Sequence, residues 1–378
     1  MTPRDVAVVV GTRPEIIKMA PVLHALGDRA LLVHTGQHYD DSLSGQYLRD
    51  LGLPAPDVQL SIRGENRGAQ VGAMIQDLTA TVNDRSPRCV LVQGDTNTVS
   101  AAAQAAHYAG IPVGHVEAGL RSYDRTMPEE VNRQVVGALA DVHFAPTGRS
   151  RDNLLREGVP ADRILVTGNT IVEATHTALA AMGRPSLKCL LDGRHLPARF
   201  IVATVHRPEN TDDRAALLRV LTALAALPLP VIFFVHPRTR AAIDRFGLHQ
   251  LTAGLILAPP PPHGVFLVVA RAAALIVTDS GGVQEEATVL RTPLVIVRKN
   301  TERPETIAMG LGVLAPPDQD IAEAVQIVLS RNRKSLKAGN PFGDGRASER
   351  IAAVAIDLAA GVPPQEAVGA TRSWSGIA

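Results

Sequence analysis

Several charged and polar side chains stand directly after short apolar runs, the position where parallel α/β proteins carry their chemistry. The first group is Gly11-Thr12-Arg13-Pro14-Glu15-Ile16-Ile17-Lys18. Gly11 permits a tight turn, and the helix that follows offers free N–H groups to an anion. Arg13 and Lys18 add fixed charge, which suits a diphosphate. The spacing is neither Gly-x-Gly-x-x-Gly nor Walker A, so dinucleotide and ATP loops are not indicated. Val92-Gln93-Gly94-Asp95-Thr96 and Gly114-His115-Val116-Glu117 each end an apolar run in a carboxylate. Met127-Pro128-Glu129-Glu130 places two more in the first turn of a helix. Each has a plain structural explanation. Asp95 could cap the next helix, Glu117 could pair with Arg121, and Glu129 with Glu130 could answer a helix dipole. Gathered at one sheet edge, however, crowded carboxylates raise one another's pKa and suit general acid and base work.

The second half of the chain supplies groups for an anion. Thr204-Val205-His206-Arg207-Pro208-Glu209-Asn210 and Val235-His236-Pro237-Arg238 both follow apolar runs. One histidine at a strand end is usually structural; two, each beside an arginine, favour anion binding or proton transfer. The most specific segment is Thr278-Asp279-Ser280-Gly281-Gly282-Val283-Gln284-Glu285-Glu286-Ala287. Ser280, Gly281 and Gly282 at a helix start form an N–H cradle for phosphate. Glu286, one turn in, is placed to accept hydrogen bonds from ribose hydroxyls. Asn300-Thr301-Glu302-Arg303-Pro304-Glu305 brings a further arginine, Arg303, toward the same place. A pyrophosphate cradle beside a ribose acceptor describes a nucleotide-sugar site.

The elements that must position these groups form two series. Short β-branched runs alternate with amphipathic stretches, the pattern of parallel α/β sheets. The first series has strands at Val6–Val10, Leu31–Thr35, Cys89–Val92, Pro112–Val116, Val142–Ala145 and Ile164–Thr167. Its helices include Thr98–Tyr108 and Glu129–Leu139. The second series restarts at Phe200–Val205 and continues through Pro230–Val235, Gly254–Leu257, Ala274–Thr278 and Pro293–Val297. A polar Pro/Gly-bearing segment at Gly183–Pro197 separates them. The expected organisation is a Rossmann-like domain over 1–182, a second over 183–346, and a helix within 347–378 that packs on either one. Two doubly wound domains hold ligands at the C-terminal ends of their strands, in a central cleft.

Bulk properties agree with this reading. The 378 residues exceed what one core usually serves. The net charge of +1 gives no general field for nucleic acid or an anionic membrane. Cys89 and Cys189 are the two cysteines, without metal-type spacing. No signal-peptide h-region and no apolar run of membrane-spanning length is present, so a cytoplasmic location is expected.

Taken together, these blocks resemble the non-hydrolysing UDP-N-acetylglucosamine 2-epimerase family, from Gly11 to Asn340-Pro341-Phe342-Gly343-Asp344-Gly345. The resemblance implies a GT-B fold, with the nucleotide held mainly by the C-terminal domain, no NAD, no metal and a homodimer. By matching motifs it implies catalytic roles for Asp95, Glu117, Glu129, His206 and Lys18. It implies nucleotide and phosphate contacts for Arg13, His236, Ser280, Gly281, Gly282, Glu286 and Arg303, and a ring beside uracil in Phe266. Pro259–Pro262 and His263 depart from the family's usual run there. Ser61–Gly68 and the short loop Ser122–Met127 depart from the pattern of members that carry a second, activating UDP-sugar pocket. Gln37 is retained, but no obligatory activation by substrate is expected. The Gly36-Gln37-His38-Tyr39-Asp40 run leaves room for a modified sugar.

The chemistry implied is removal of the C2 proton with loss of UDP from C1, then re-addition of UDP and protonation of C2 from the opposite face. Three readings compete with it. A hydrolysing epimerase would release N-acetylmannosamine and UDP. A GT-B glycosyltransferase would need an acceptor. A UDP-sugar sensor would bind without turnover, and it would have no use for crowded carboxylates.

Overall fold

A computed structural model describes residues 4–37, 48–62, 66–183, 196–316, 319–331 and 338–372. The expectations placed on His38–Asp40, on 63–65 of the Ser61–Gly68 segment, on 184–195 of the linker and on Cys189 lie outside these residues. The chain divides into two compact units, residues 1–174 with 342–378, and residues 175–341.

The first unit is built on a seven-stranded parallel sheet. Its strands are β1 (Val6–Val10), β2 (Ala30–His34), β3 (Val58–Gln59), β4 (Cys89–Gln93), β5 (Val113–Val116), β6 (Val142–Ala145) and β7 (Ile164–Val166). The spatial order is β3-β2-β1-β4-β5-β6-β7, which reverses between β1 and β4. The helices are α1 (Arg13–Leu26), α2 (Arg67–Arg85), α3 (Asn97–Tyr108), α4 (Pro128–Leu139), α5 (Gly148–Arg156) and α6 (Ile171–Met182). The division between units falls within α6. Both sheet faces are covered, which is why β1 reads as an unbroken Val-Ala-Val-Val-Val. Val6, Val8 and Val10 pack toward α1, while Ala7 and Val9 pack among Met74, Leu78, Val99 and Val136.

The second unit repeats the plan with β8 (Ile201–Thr204), β9 (Val231–Phe234), β10 (Ile256–Ala258), β11 (Leu275–Thr278), β12 (Leu294–Ile296) and β13 (Gly312–Leu314). The order is β10-β9-β8-β11-β12-β13, all parallel, and it reverses between β8 and β11. Its helices are α7 (Arg214–Ala225), α8 (Pro237–Phe246), α9 (His263–Ala272), α10 (Gly281–Leu290) and α11 (Ile321–Ser330). The chain then returns to the first unit with α12 (Ala347–Ala359) and α13 (Pro364–Arg372).

Helix α12 is fixed to the first unit by apolar and polar contacts together. Ile351, Val354 and Leu358 join the core of β1 and α1. Ser348 N donates to Glu173 Oε1 at 3.0 Å, and Arg350 donates to Thr167 O at 2.9 Å while forking onto Asp344. Two parallel doubly wound sheets are the architecture the sequence predicts. The sequence does not signal β3 or β13. These are edge strands of two and three residues.

Candidate active site

In the first unit, the predicted side chains stand at the switch point of the sheet. Arg13 opens α1, half-buried, one residue after the Gly11-Thr12 turn that leaves β1. Asp95 follows β4 and Glu117 follows β5. Neither carboxylate behaves as its simplest explanation would have it. Thr96, not Asp95, caps α3 by accepting from Val99 N at 3.4 Å. Arg121 forks onto Glu157 at 2.7 and 2.6 Å, and Glu117 instead meets the ammonium of Lys18 from α1. Both members of that pair are almost fully buried. Gln93 Nε2 donates to the same Glu117 oxygen at 2.8 Å. Glu117 has φ +67°, a left-handed conformation that costs a non-glycine residue of order 1–3 kcal/mol and persists where surrounding contacts over-determine it.

Asp95 is aimed from behind. The buried guanidinium of Arg133, on α4, donates to Asp95 Oδ2, and Asn132 Nδ2 donates to Asp95 O at 2.9 Å. Arg133 is held in turn by Glu130, whose carboxylate accepts from Arg133 Nε at 3.0 Å and from Ser122 N at 3.0 Å. Burial pushes Glu130 up, but the Ser122 N–H and Arg133 together hold its carboxyl below the ordinary value. Glu129, one residue earlier, stays half-exposed in the first turn of α4.

Asp95 and Glu117 each face a cation, Arg133 and Lys18 respectively. A carboxyl raised well above its ordinary value stands beside them at Glu15. It accepts from Gly11 N at 2.9 Å and from Thr96 Oγ1 at 2.8 Å, joining the turns after β1 and β4. Burial pushes it up to about 7, against the hydrogen bonds from Thr96, Thr12 and Gly11.

In the second unit the groups predicted to meet an anion also flank the switch point. His206 follows β8, half-buried, with its ring 5.2 Å from that of His236. His236 caps α8, its Nδ1 accepting from Arg238 N at 3.2 Å. Ser280 caps α10, where Gly281 and Gly282 are the first two residues. A Cβ on Gly281 would lie 2.6 Å from the guanidinium of Arg303, so glycine there lets the arginine approach the helix start. Arg303 is itself fixed by Glu285 and Glu302, both at 2.5 Å. Glu286 and His263 meet at 2.8 Å, both largely buried. The residue predicted to meet ribose is therefore oriented by a histidine from α9. Phe266, three residues further along α9, packs edge-on against Phe234 at 5.9 Å.

Sequence reasoning did not assign Glu15, Gln93, Glu130, Arg133, His263 or Asp279. Arg133 and Glu130 stand three apart on one helix, a spacing that signals their pairing. The partners of Asp279 follow another strand and leave no local pattern, while Glu15 joins its own turn at Gly11 to Thr96 after β4. Among the described residues no group of three or more His, Cys, Asp or Glu is placed to hold a metal, and no helix is long and apolar enough to cross a membrane.

Fold and polar edges together define a nucleotide-sugar enzyme of two Rossmann-like units. Comparison with known proteins narrows this. The model of the UDP-N-acetylglucosamine 2-epimerase family matches residues 25–355. A UDP-N-acetylglucosamine 2-epimerase of Methanococcus maripaludis is 39% identical over 92% of this chain and 96% of its own. A UDP-2,3-diacetamido-2,3-dideoxy-D-glucuronate 2-epimerase of Pseudomonas aeruginosa is 36% identical, covering 91% and 97%. The crystal structure of Methanocaldococcus jannaschii UDP-GlcNAc 2-epimerase in complex with UDP-GlcNAc and UDP superposes with a TM-score of 0.85 at 37% identity. It covers 92% of this chain and 98% of that one. The chain belongs to the UDP-N-acetylglucosamine 2-epimerase family.

Proposed function

We propose that this protein interconverts UDP-N-acetylglucosamine and UDP-N-acetylmannosamine by eliminating UDP and adding it back, without releasing the free sugar. The observation that carries the reading is the pair of strand-end carboxylates, each set against a buried cation. Asp95 is paired with Arg133 and Glu117 with Lys18. Inversion at C2 needs a base and an acid for the two faces of the ring, together with positive charge for the departing diphosphate. Asp95, Glu117 and Glu129 are the proposed acids and bases, with Lys18 among them. Arg13, His206, His236 and Arg303 serve the diphosphate, with the N–H groups that follow Ser280 at Gly281 and Gly282. Glu286 takes the ribose hydroxyls, and Phe266 lies beside the base. No metal or nicotinamide enters these steps. The protein acts in the cytoplasm as a homodimer, without activation by a second UDP-sugar.

Incubation with UDP-N-acetylglucosamine in D2O, followed by proton NMR, tests this. UDP-N-acetylmannosamine should appear with deuterium at C2. Accumulation of free N-acetylmannosamine with UDP would replace the proposal by a hydrolysing reaction. Unexchanged C2 would remove it. The same incubation with a UDP-2,3-diacetamido-uronate asks whether a 3-substituted sugar turns over faster, as the name of the Pseudomonas aeruginosa relative suggests.

A further inference from the structure

Asp279 directly follows β11 with its side chain fully buried, and its carboxylate is met by N–H donors and a ring nitrogen. Its Oδ2 accepts from His206 N at 2.9 Å, Arg207 N at 2.8 Å and Asn210 Nδ2 at 2.9 Å. Its Oδ1 accepts from His206 N at 3.1 Å and faces His206 Nδ1 at 3.3 Å. Asn210 Nδ2 also donates to Val297 O at 3.0 Å, so the assembly is anchored to the strand end after β12. The carboxylate therefore grips the backbone on which His206 sits and meets the inner nitrogen of its ring.

We infer that Asp279 is a positioning residue for His206. It fixes the Nδ1–H form of the imidazole, turns Nε2 outward as the working atom, and supports the positive charge the ring gains when Nε2–H donates to a diphosphate oxygen. The inference rests on the proposed role of His206 at the diphosphate. A neutral imidazole carries one proton, and the nitrogen facing an acceptor keeps it. Nε2 is then left as a lone pair in the empty protein and becomes a donor only after a second proton arrives. The other charges near the ring oppose that second proton. Burial holds the imidazole below its ordinary pKa, Asp279 works in the other direction, and Arg207, Arg238 and Arg298 add to the depression. His236, 5.2 Å away, is the remaining titratable ring beside it. Asp279 is thus the one anion in contact with His206 among the described residues, and an incoming diphosphate would be the second.

Imidazole ¹⁵N spectra of the full-length protein test the inference without a variant. At neutral pH the His206 signals should report a protonated Nδ1 and an unprotonated Nε2, and added UDP should raise the pKa of the ring by about one unit or more. A protonated Nε2 with bare Nδ1 in the ligand-free protein, or no change with UDP, would overturn it. Kinetics give the second arm. Asp279→Asn should lower turnover by at least about tenfold in the wild-type background and by less than about threefold in His206→Ala, because a residue acting through His206 has nothing to act on once the ring is gone. An equal loss in both backgrounds would reduce Asp279 to a loop anchor. If His206→Ala itself keeps wild-type turnover, it is the reading of His206 that fails, and the ¹⁵N result still stands as evidence on Asp279. Should Asp279→Asn not fold, the wild-type spectra decide.

Discussion

Asp95 and Glu117 differ in what the loss of a charge leaves behind, and that difference can be measured. Both Asp95→Asn and Glu117→Gln should lower turnover by roughly 10²-fold or more while UDP affinity stays within a few-fold, since the proposed function gives both to the sugar and neither to the nucleotide. Near wild-type turnover in either would remove that residue from the reaction. Stability should separate them. Glu117→Gln leaves the Lys18 ammonium buried without its counter-charge, a situation that costs about 3–5 kcal/mol. Asp95 is about a quarter exposed, at 27%, so its loss should cost far less. Thermal melts of the two variants read this directly. Glu286→Ala should act on binding. Losing a charge-assisted hydrogen bond to ribose costs about 1.5–3 kcal/mol, or roughly ten- to a hundredfold in UDP affinity by calorimetry. At this scale the sequence shows Asp95, Glu117 and His206 because each ends an apolar run, and a polar residue there must face out of the sheet edge. It hides Glu15 and Asp279, because burial by residues far away in sequence is what makes them unusual.

The helix start at α10 shows how an element enforces its own sequence. Gly281 and Gly282 look equivalent as a flexible pair, yet they meet different surroundings. A methyl at Gly281 would collide with the Arg303 guanidinium at 2.6 Å, whereas nothing lies within 4 Å of one at Gly282. Arg303 can yield only by loosening its hold on Glu285 and Glu302. Gly281→Ala should therefore leave the fold standing, because a flexible side chain gives way, and should weaken UDP binding at least tenfold. Gly282→Ala should bind UDP within about threefold of wild type. Calorimetric titration of the two variants side by side checks the contrast, and equal affinities would show that Arg303 does not serve the phosphates. Strands were legible where both faces are buried, as in β1, β6 and β8, since continuous Val, Ile, Phe and Ala runs suit a strand covered on both sides. β3, with two residues, is too short to stand out from loop sequence, and β13 begins on Gly312, which reads as a turn and not as the start of an apolar run.

Across the whole molecule, two restarting α/β series were legible because the alternation is regular and is interrupted by a polar segment. The distribution of buried titratable groups was not legible, since it depends on which strands become neighbours. His115 and His143 are aligned on adjacent strands β5 and β6, and His34 ends β2, all in the first unit. Burial holds His34 and His115 down to about 4 and His143 to about 3. Their folded pKa values lie below the ordinary 6.5, so the stability they contribute is present above about pH 6.5 and is lost as pH falls through about 4. Glu15 has the opposite sign. Its value is raised from 4.5 to about 7, so its contribution is present below about pH 4.5 and is lost as pH rises through about 7. Between these limits, unfolding the first unit takes up protons at the three histidines and releases them from Glu15 and from Glu173, whose carboxyl burial also raises, so the balance is an uptake. Stability of that unit should then fall on acidification, by about 1.36 kcal/mol per pH unit for each proton of net uptake. In the second unit His206 is held down while burial raises the Glu209 carboxyl, so the slope there should be shallower. Two units make a single unfolding free energy ill-defined, and each must be followed by itself. Hydrogen exchange measured after equilibration at pH 7, 6, 5 and 4.5 does this. Peptides from β5, β6 and α4 should lose protection before peptides from β8, β11 and α10, and Glu15→Gln should steepen the acid loss in the first unit. Loss of protection in the second unit first would mean that the buried histidines of β2, β5 and β6 do not set the acid limit of this protein.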